Sequence, residues 1–321
     1  MKALVLNALH QGLDYQEMPA PHAGKQDGLV HLRAAALNHR DLFITQGLYA
    51  GIKFPTILGS DGAGEYRGKA VVIDPSLDWG GDPKAQGRGF RVLGLPDDGT
   101  FAAQIAIPRS NIHPKPQHLD WEQAAALPLA GVTAWRVLFT RCQIKAGERV
   151  FITGIGGGVA LMVLQLAIAA GAEVFVSSGS DEKIAKAVAL GARGGANYRL
   201  PDWDKTLKKD AGGFDVVIDS AGGDGFGALL GLCNPGARIG VYGGTQGKID
   251  GLSPQPLFWK QVSILGSTMG TRLDFRRMLA FVSKHEIVPV IDSVFALSDG
   301  NEALKKMEKG DQFGKIVLRI A

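Results

Sequence analysis

Residues 149–171 have the sequence RVFITGIGGGVALMVLQLAIAAG, in which a short branched and aromatic run is followed by a glycine-rich turn and a longer apolar segment. The first run has the length and composition of a buried strand, and the last segment has the length of a helix. Gly154, Gly156, Gly157 and Gly158 lie between them. Glycine accepts positive φ values and lets the backbone approach an anion, while a helix start supplies free N–H donors. The stretch therefore predicts a phosphate-binding turn.

This turn fits a dinucleotide-binding fingerprint with one departure. Val159 stands where a strict G-x-G-x-x-G would have its third glycine, and the better register is Gly154-x-x-Gly157-x-x-Ala160. From Glu148 onward strand-like and helix-like segments alternate, and further strands are predicted in EVFVSS, ANY, FDVVID, ARIGVYG and VSILGS. Such alternation predicts an α/β fold with a Rossmann doubly wound parallel sheet of six strands.

The end of the second strand of this region indicates which dinucleotide would bind. NAD-binding proteins normally place an acidic residue there, against the ribose 2′-hydroxyl. This chain has Ser177, Ser178 and Ser180, followed by Lys183. Hydroxyls can bond a 2′-phosphate without repelling it, and a lysine attracts it, so we predict NADP(H). A solvated serine-rich loop with a surface lysine would have the same sequence.

The remainder of the chain predicts a second domain. Residues 1–122 are β-rich and punctuated by Gly and Pro, as in a small irregular barrel. A helical segment, DWEQAAALPLAGVTAWRVLFTRCQI, connects this region to the cofactor-binding domain, which we place at 123–268. The tail, 269–321, contains two amphipathic helices at Phe275–Lys284 and Asp299–Lys309 and the short strand KIVLRI, and we expect it to return to the first domain.

Composition excludes several function classes. The formal charge is +4, but Lys and Arg are spread along the chain without a cluster, so we expect no nucleic-acid partner. The longest apolar stretch, Val159 to Ala172, is too short to span a bilayer, and the N-terminal MKALVLNALHQGLDYQ becomes polar too soon for a signal peptide. We therefore expect no membrane association and a cytoplasmic location. Cys142 and Cys233 alone cannot build a disulfide framework or a Cys-rich zinc site.

The segments AALNHRDLFITQGLY and FPTILGSDGAGE resemble the medium-chain dehydrogenase/reductase superfamily, and the resemblance extends over essentially the whole chain. It implies a GroES-like catalytic domain, an irregular β-barrel, beside the Rossmann domain. Zinc-dependent members carry a Cys where this chain has Asn38, a His where it has Ser60, and a third ligand near Leu129. None of these residues replaces a thiolate, imidazole or carboxylate as a zinc ligand, so no metal site is predicted. The zinc-free branch that the chain resembles is the quinone oxidoreductase group, including members named zinc-type alcohol dehydrogenase-like.

The resemblance also implies site residues. In that group an Asn and an Asp in N-x-x-D and a Tyr in G-L-Y line the substrate cleft, and they match Asn38, Asp41 and Tyr49. An aromatic hydroxyl of some members is replaced by Phe43. The residues that the resemblance places against the cofactor are Lys183 and Tyr198 at the 2′-phosphate, Thr133 near the nicotinamide, and Val241, Tyr242 and Gly243 along the ring. From sequence alone, Asn38 and Asp41 could also be turn and cap residues, and Tyr49 could be an exposed loop residue.

These features favour hydride transfer from NADPH to a quinone or an α,β-unsaturated carbonyl, with hydrogen bonds stabilising the developing charge. Alcohol or aldehyde chemistry without metal is the alternative, with Asp41 or His39 as base. A non-catalytic NADPH-binding protein is another. The segment EYRGKA is shorter than usual for the family, which predicts a shortened loop. VSILGST could be an edge strand that pairs across a two-fold axis, so we expect a homodimer.

Overall fold

The computed structural model describes residues 1–321 and contains two compact units. The first unit comprises Met1–Ala130 and Gly270–Ala321, and the second comprises Gly131–Met269. The sequence pattern puts the first boundary after residue 122. The structure places it later because the helix Trp121–Ala126 packs on strands of the first unit. No helix combines the length and apolar composition needed to cross a membrane.

The strands are β1 Lys2–Leu6, β2 Asp14–Glu17, β3 Asp27–Ala36, β4 Thr56–Ile57, β5 Asp61–Tyr66, β6 Lys69–Ile73, β7 Ser76–Leu77, β8 Arg91–Val92, β9 Gln104–Pro108, β10 Ile112–Pro114, β11 Arg149–Ile152, β12 Glu173–Ser178, β13 Gly194–Asn197, β14 Phe214–Asp219, β15 Cys233–Val241, β16 Ser263–Gly266, β17 Ile291–Ala296 and β18 Lys315–Arg319. The α-helices are α1 His39–Thr45, α2 Trp121–Ala126, α3 Pro128–Trp135, α4 Gly158–Ala169, α5 Asp181–Ala189, α6 Trp203–Ala211, α7 Phe226–Leu232, α8 Pro254–Trp259, α9 Arg272–Lys284 and α10 Gly300–Lys309. Short 3₁₀ turns occur at Arg109–Asn111 and Leu297–Asp299, and Arg136–Arg141 forms a π-helix.

The second unit confirms the predicted parallel sheet. Its strands lie in the order β13-β12-β11-β14-β15-β16, and every neighbouring pair is parallel. Counted from β11, this is the order 3-2-1-4-5-6 of a Rossmann fold. The strand order reverses at β11 and β14, and ligands of such sheets bind outside the carboxyl ends of the strands at this switch point. Phe151, Phe214, Phe226 and Ile239 contribute to the core of the unit.

The first unit is largely antiparallel. Its main sheet has the order β10-β6-β5-β3-β18-β17, with β9 also paired to β3, and β2-β1-β4 forms a separate three-stranded sheet. The C-terminal strand β18 pairs with β3, so the tail belongs to this unit. Strands β5 and β6 are joined by Arg67 and Gly68, whose φ values of +50° and +72° are typical of a tight two-residue hairpin turn. The segment that the sequence predicts to be short is thus a two-residue turn.

Two buried titratable side chains, Asp74 and His113, lie where β6, β10 and α9 meet. Asp74 follows β6, and one of its carboxylate oxygens accepts a hydrogen bond from the Ser76 backbone N–H at 2.9 Å, while the other has no partner. His113 packs on Phe275, with ring centroids 5.0 Å apart. Burial raises the pKa of Asp74 to about 7, against the opposing Ser76 hydrogen bond, and burial lowers the pKa of His113 to about 4. Burial therefore favours the neutral form of both groups.

We expect Asp74→Asn to be more stabilising at pH 8 than at pH 4. Between pH 4 and pH 7 the unfolded carboxyl is ionised while the folded one keeps its proton, so wild-type stability falls as pH rises through this window and levels off above it. The amide has no proton to lose, and the gain relative to wild type should grow by about 3 kcal/mol between these pH values. Urea unfolding of the two proteins at both pH values measures it. The exposed Asp224→Asn is the control; a pH-independent difference for Asp74→Asn would contradict the account.

Candidate active site

The turn between β11 and α4 has the geometry of an anion-binding turn. Gly154 and Gly156 have φ values of +62° and +135°, which L residues rarely adopt. Gly157 is the N-cap of α4 and offers no side chain to the free N–H groups of Gly158, Val159 and Ala160. A Cβ at Gly154 or Gly157 would meet no atom within 4 Å, so the space in front of these donors is open. The turn therefore fits a dinucleotide pyrophosphate.

The two serines that end β12 are buried and support this turn. Ser177 is 2% exposed, and its hydroxyl oxygen accepts a hydrogen bond from the Gly154 N–H at 3.4 Å. Ser178 is 5% exposed and accepts one from the Ser180 N–H at 3.2 Å. The Ser180 hydroxyl in turn caps α5 by accepting the Lys183 N–H. These hydroxyls thus already organise the backbone at the carboxyl end of the strand.

Basic and phenolic side chains surround Gly179 beyond this strand end. A Cβ at Gly179 would lie 2.7 Å from Arg199 Nε and 3.0 Å from the Tyr198 hydroxyl oxygen. Tyr198 is 48% exposed, and Lys183 lies in the first turn of α5. Arg199 was missed by the sequence analysis, although it follows Tyr198 directly. No acidic residue ends β12, so the donors here suit a phosphate.

The carboxyl ends of β14 and β15 complete this edge of the sheet. Asp219 is 1% exposed and accepts hydrogen bonds from the Thr153 hydroxyl at 2.6 Å and the Gly222 N–H at 2.8 Å. Tyr242 follows Val241, the last residue of β15, and donates its N–H to the Asp219 carbonyl. Burial raises the pKa of Tyr242 to about 12, so its hydroxyl stays protonated at neutral pH.

Gly243 and Thr133 are the remaining predicted cofactor residues of this unit. A Cβ at Gly243 would lie 2.9 Å from the Ser220 carbonyl oxygen, so this position cannot take a larger residue without a shift. Thr133 in α3 is 5% exposed, and its hydroxyl lies 3.9 Å from the Met269 sulfur. The hydroxyl of Thr133 thus has only a weak hydrogen-bond partner within the unit.

In the first unit, a buried network is built around Asp61. One carboxylate oxygen of Asp61 accepts hydrogen bonds from Lys315 Nζ at 2.8 Å and Asn38 Nδ2 at 3.0 Å, and the other accepts the Leu129 N–H at 2.7 Å. Lys315 also donates to Asn38 Oδ1 at 2.7 Å. Asp61 and Lys315 are 0% and 5% exposed. We call Asn38, Asp61 and Lys315 the Asp61 network; both polar atoms of the Asn38 side chain have partners within it.

Asp41 acts as a helix cap in this structure. It is the third residue of α1, and its carboxylate accepts the Asn38 backbone N–H at 2.8 Å in a capping box. The residue is 0% exposed, and burial raises the pKa of its carboxyl to about 6. A side chain without exposed surface cannot contact a substrate in this conformation. In this conformation Asp41 therefore serves as a cap that fixes Asn38, and its place in the substrate site stays a prediction.

Tyr49 lies beside an arginine that the sequence analysis did not single out. The Arg40 guanidinium is 5.7 Å from the centroid of the Tyr49 ring, and the tyrosine is 40% exposed. Arg40 Nη1 donates to the Ser60 hydroxyl and to the Leu93 carbonyl, both at 2.7 Å. Asn38 and Leu129 thus both donate hydrogen bonds to Asp61. Ser60, the residue before Asp61, accepts one from Arg40.

Comparison with known proteins found a family match in each half of the chain. Residues 24–117 match the alcohol dehydrogenase GroES-like domain family, and residues 158–284 match the zinc-binding dehydrogenase family. A zinc-type alcohol dehydrogenase-like protein, YogA, of Leptosphaeria maculans is 37% identical over 96% of this chain and 94% of its own. The chain belongs to the medium-chain dehydrogenase/reductase superfamily. It is an oxidoreductase of that type, with a GroES-like domain and a nucleotide-binding Rossmann domain.

Solved structures of this superfamily have the same fold. A crystal structure of an NAD-dependent alcohol dehydrogenase superimposes with a TM-score of 0.95 at 32% identity and covers 100% of both chains. The quinone oxidoreductase of Thermus thermophilus, described also in complex with NADPH, gives a TM-score of 0.84 at 26% identity, with 100% of both chains covered. Superfamily members similar to this chain therefore include proteins named for either dinucleotide.

The zinc that part of this superfamily uses does not fit the residues present. Among residues 1–321 no group of three or more His, Cys, Asp or Glu side chains is arranged to hold a metal ion. The positions identified by resemblance offer the amide of Asn38, the hydroxyl of Ser60 and the aliphatic side chain of Leu129. An ammonium and a guanidinium, from Lys315 and Arg40, lie directly beside the first two. Cations at these places oppose the binding of another cation.

Proposed function

We propose that this chain is a zinc-independent, NADPH-dependent reductase of a quinone or an α,β-unsaturated carbonyl. The observation that carries the proposal is which side chains occupy the positions of the family's metal ligands and what they bond to. Asn38 is held by the Asp61–Lys315 pair, and Ser60 is held against the Arg40 guanidinium. Fixed hydrogen-bond donors suit a reaction in which negative charge grows on a carbonyl oxygen.

We assign the cofactor site to the second unit. We assign the pyrophosphate to the turn from Gly154 to Ala160, and the 2′-phosphate to Lys183, Tyr198 and Arg199 near Gly179. We assign the nicotinamide to the carboxyl ends of β14 and β15, with Val241, Tyr242, Gly243 and the hydroxyl of Thr133. NADPH, when bound, supplies a hydride to an electron-poor carbon of the substrate.

Metal-free alcohol oxidation is less suited to these residues. An alcohol must lose its hydroxyl proton as hydride departs, which requires a metal or an accessible base. Asp41 is buried as a helix cap, which leaves the exposed His39 as the one candidate base of this alternative. A quinone or enone needs only donors to the oxygen that gains charge, and the second N–H of the Asn38 amide and the Tyr49 hydroxyl are candidates, with Asp41 as the residue that positions Asn38.

Acceptor profiling tests the proposal. Oxidation of NADPH is followed with 1,4-benzoquinone, 9,10-phenanthrenequinone, a short 2-enal and a saturated aldehyde as acceptors. We expect turnover with a quinone or the 2-enal and much slower turnover with the saturated aldehyde. Preferred reduction of the saturated aldehyde would favour the alcohol dehydrogenase alternative, and tight NADPH binding without turnover of any acceptor would favour a non-catalytic binding protein.

Replacing Lys183 with alanine should weaken NADPH binding about 10- to 100-fold and leave NADH binding almost unchanged. The ammonium would make a charge-assisted hydrogen bond to a phosphate that only NADPH carries. Fluorescence titration with each cofactor measures the two dissociation constants. Lys186→Ala in the same helix is the matched control, because Lys186 is paired with Glu182 at 2.6 Å. Equal losses for NADPH and NADH would contradict the 2′-phosphate assignment.

We also propose that the chain forms a homodimer through β16. This strand is the edge of the six-stranded sheet, and the helix before it exposes Phe258 by 62% and Trp259 by 81%. Pairing with the same strand of a second copy would satisfy the free edge and cover apolar surface under two-fold symmetry. Ile264→Lys is expected to yield monomers in analytical ultracentrifugation, with Val294→Lys, equally exposed, as the control. A wild-type monomer would exclude the proposal.

A further inference from the structure

Arg40 is fixed along one edge by groups of its own unit. Its Nη1 donates to the Ser60 hydroxyl and the Leu93 carbonyl, both at 2.7 Å. Ser60 is fully buried and donates its own hydroxyl proton to the same carbonyl at 2.7 Å. The centroid of the Tyr49 ring lies 5.7 Å from the guanidinium carbon. The orientation of this cation is therefore determined before any ligand binds.

The other edge of the guanidinium is open. An arginine has five N–H donors, and two of them belong to Nη1. The remaining three, on Nε and Nη2, have no acceptor in the protein, and the side chain is partly exposed. A guanidinium edge of this kind binds oxygen anions with directed hydrogen bonds, and it stays charged at every physiological pH.

The segment that follows α1 carries exposed apolar side chains near Tyr49 in sequence. Residues 46–55 form the segment that carries Tyr49, and within it Leu48 and Phe54 are 68% and 45% exposed. The Leu48 N–H is bonded to the Phe43 carbonyl, which ties the segment to α1. A ligand with a flat apolar body and one oxygen that becomes anionic matches a fixed cation with the Tyr49 ring beside it.

We propose that Arg40 is a catalytic residue whose open Nε and Nη2 edge binds the substrate oxygen that becomes the enolate or hydroquinone oxyanion. This rests on the proposed function. Hydride addition to the β-carbon, or its equivalent in a quinone, breaks a carbon–carbon π bond and moves the electron pair to oxygen. Arg40 stabilises the resulting anion without giving up its own proton, and a solvent proton completes the product, so one substrate, one NADPH and one proton give reduced product and NADP⁺. Ser60 is the positioning residue.

A phenolate probe tests the site without requiring turnover. The 4-nitrophenolate ion resembles a hydroquinone monoanion, and it absorbs visible light whereas the neutral phenol does not. We expect wild-type protein with NADP⁺ to prefer the ion about tenfold, which lowers the apparent pKa of the bound probe by about one unit. Arg40→Gln should abolish the preference and Arg40→Lys should retain part of it. Arg33→Gln, which removes an exposed arginine paired with Glu65, should behave as wild type.

Kinetics provide the second readout. Arg40→Gln should lower kcat for the best acceptor about 100-fold and leave NADPH affinity unchanged. If Arg40→Gln reduces the acceptor with an unaltered kcat, the role of Arg40 is overturned while the proposed function stands. Arg40-dependent phenolate binding in a protein that reduces no acceptor would support the site while the proposed function fails. Equal phenolate preference in wild type and folded Arg40→Gln, or no preference in wild type, would overturn the inference.

Discussion

Replacing Asp61 with alanine is expected to lower the free energy of unfolding by about 3 to 5 kcal/mol. The carboxylate accepts hydrogen bonds from Lys315, Asn38 and the Leu129 N–H, and it has no exposed surface. Its removal leaves the Lys315 ammonium buried without its counter-charge, and this uncompensated charge is the main cost. Urea unfolding monitored by circular dichroism measures the loss.

Strand β18, which carries Lys315, also offers a matched control. Arg319 of β18 is paired with Glu122 at 2.8 Å, but its side chain is 66% exposed. Glu122→Ala should therefore cost less than about 1 kcal/mol. The double variant Asp61→Leu/Lys315→Met should be more stable than Asp61→Ala, because neither charge remains. An Asp61→Ala cost no larger than that of Glu122→Ala would contradict a structural role for the buried pair.

Replacing Gly157 with valine is expected to weaken NADPH binding at least about 100-fold with little change in stability. Gly157 has φ −77° and ψ 157°, which any residue adopts, and a Cβ there meets no protein atom within 4 Å. The added side chain would occupy the open space in front of the first turn of α4, where we place the pyrophosphate. A 100-fold loss corresponds to about 3 kcal/mol of binding free energy.

Gly231→Val serves as the control for this substitution. Gly231 is an exposed glycine of α7 in the same unit, and a Cβ there also meets nothing within 4 Å. Titration of both variants with NADPH, together with thermal unfolding, separates loss of binding from loss of folding. Normal NADPH affinity in folded Gly157→Val would show that the pyrophosphate does not bind at this turn.

The fold of the second unit was predictable because its signals are local. Strand and helix alternate in apolar runs, and the glycines of 154–158 interrupt them where the backbone needs positive φ values. Helices α6 and α8 were not predicted, because α6 is rich in charged residues and α8 contains two prolines within six residues. In the first unit the irregular barrel pattern was predictable, but the pairing of β18 with β3 joins residues distant in sequence.

The candidate site was less predictable, since its contacts are long-range. Lys315 lies 277 residues from Asn38, and nothing in KIVLRI marks it as buried apart from its place in an apolar strand. Arg40 lies within the quoted segment NHRD, yet its contacts with Ser60 and Leu93 emerge only in the fold. For Asp41 the sequence left both a cleft role and a cap role open, and the capping box with complete burial favours the cap.

The most direct test of the central claim combines metal content with activity in one sample. Purified protein is analysed by mass spectrometry for zinc, and NADPH-dependent reduction of its best quinone or enone acceptor is measured before and after exhaustive treatment with a chelator. We predict less than roughly one tenth of an equivalent of zinc per chain, a threshold for non-stoichiometric metal, and an unchanged reduction rate. One zinc per chain, whose removal abolishes the reduction and whose return restores it, would contradict the account.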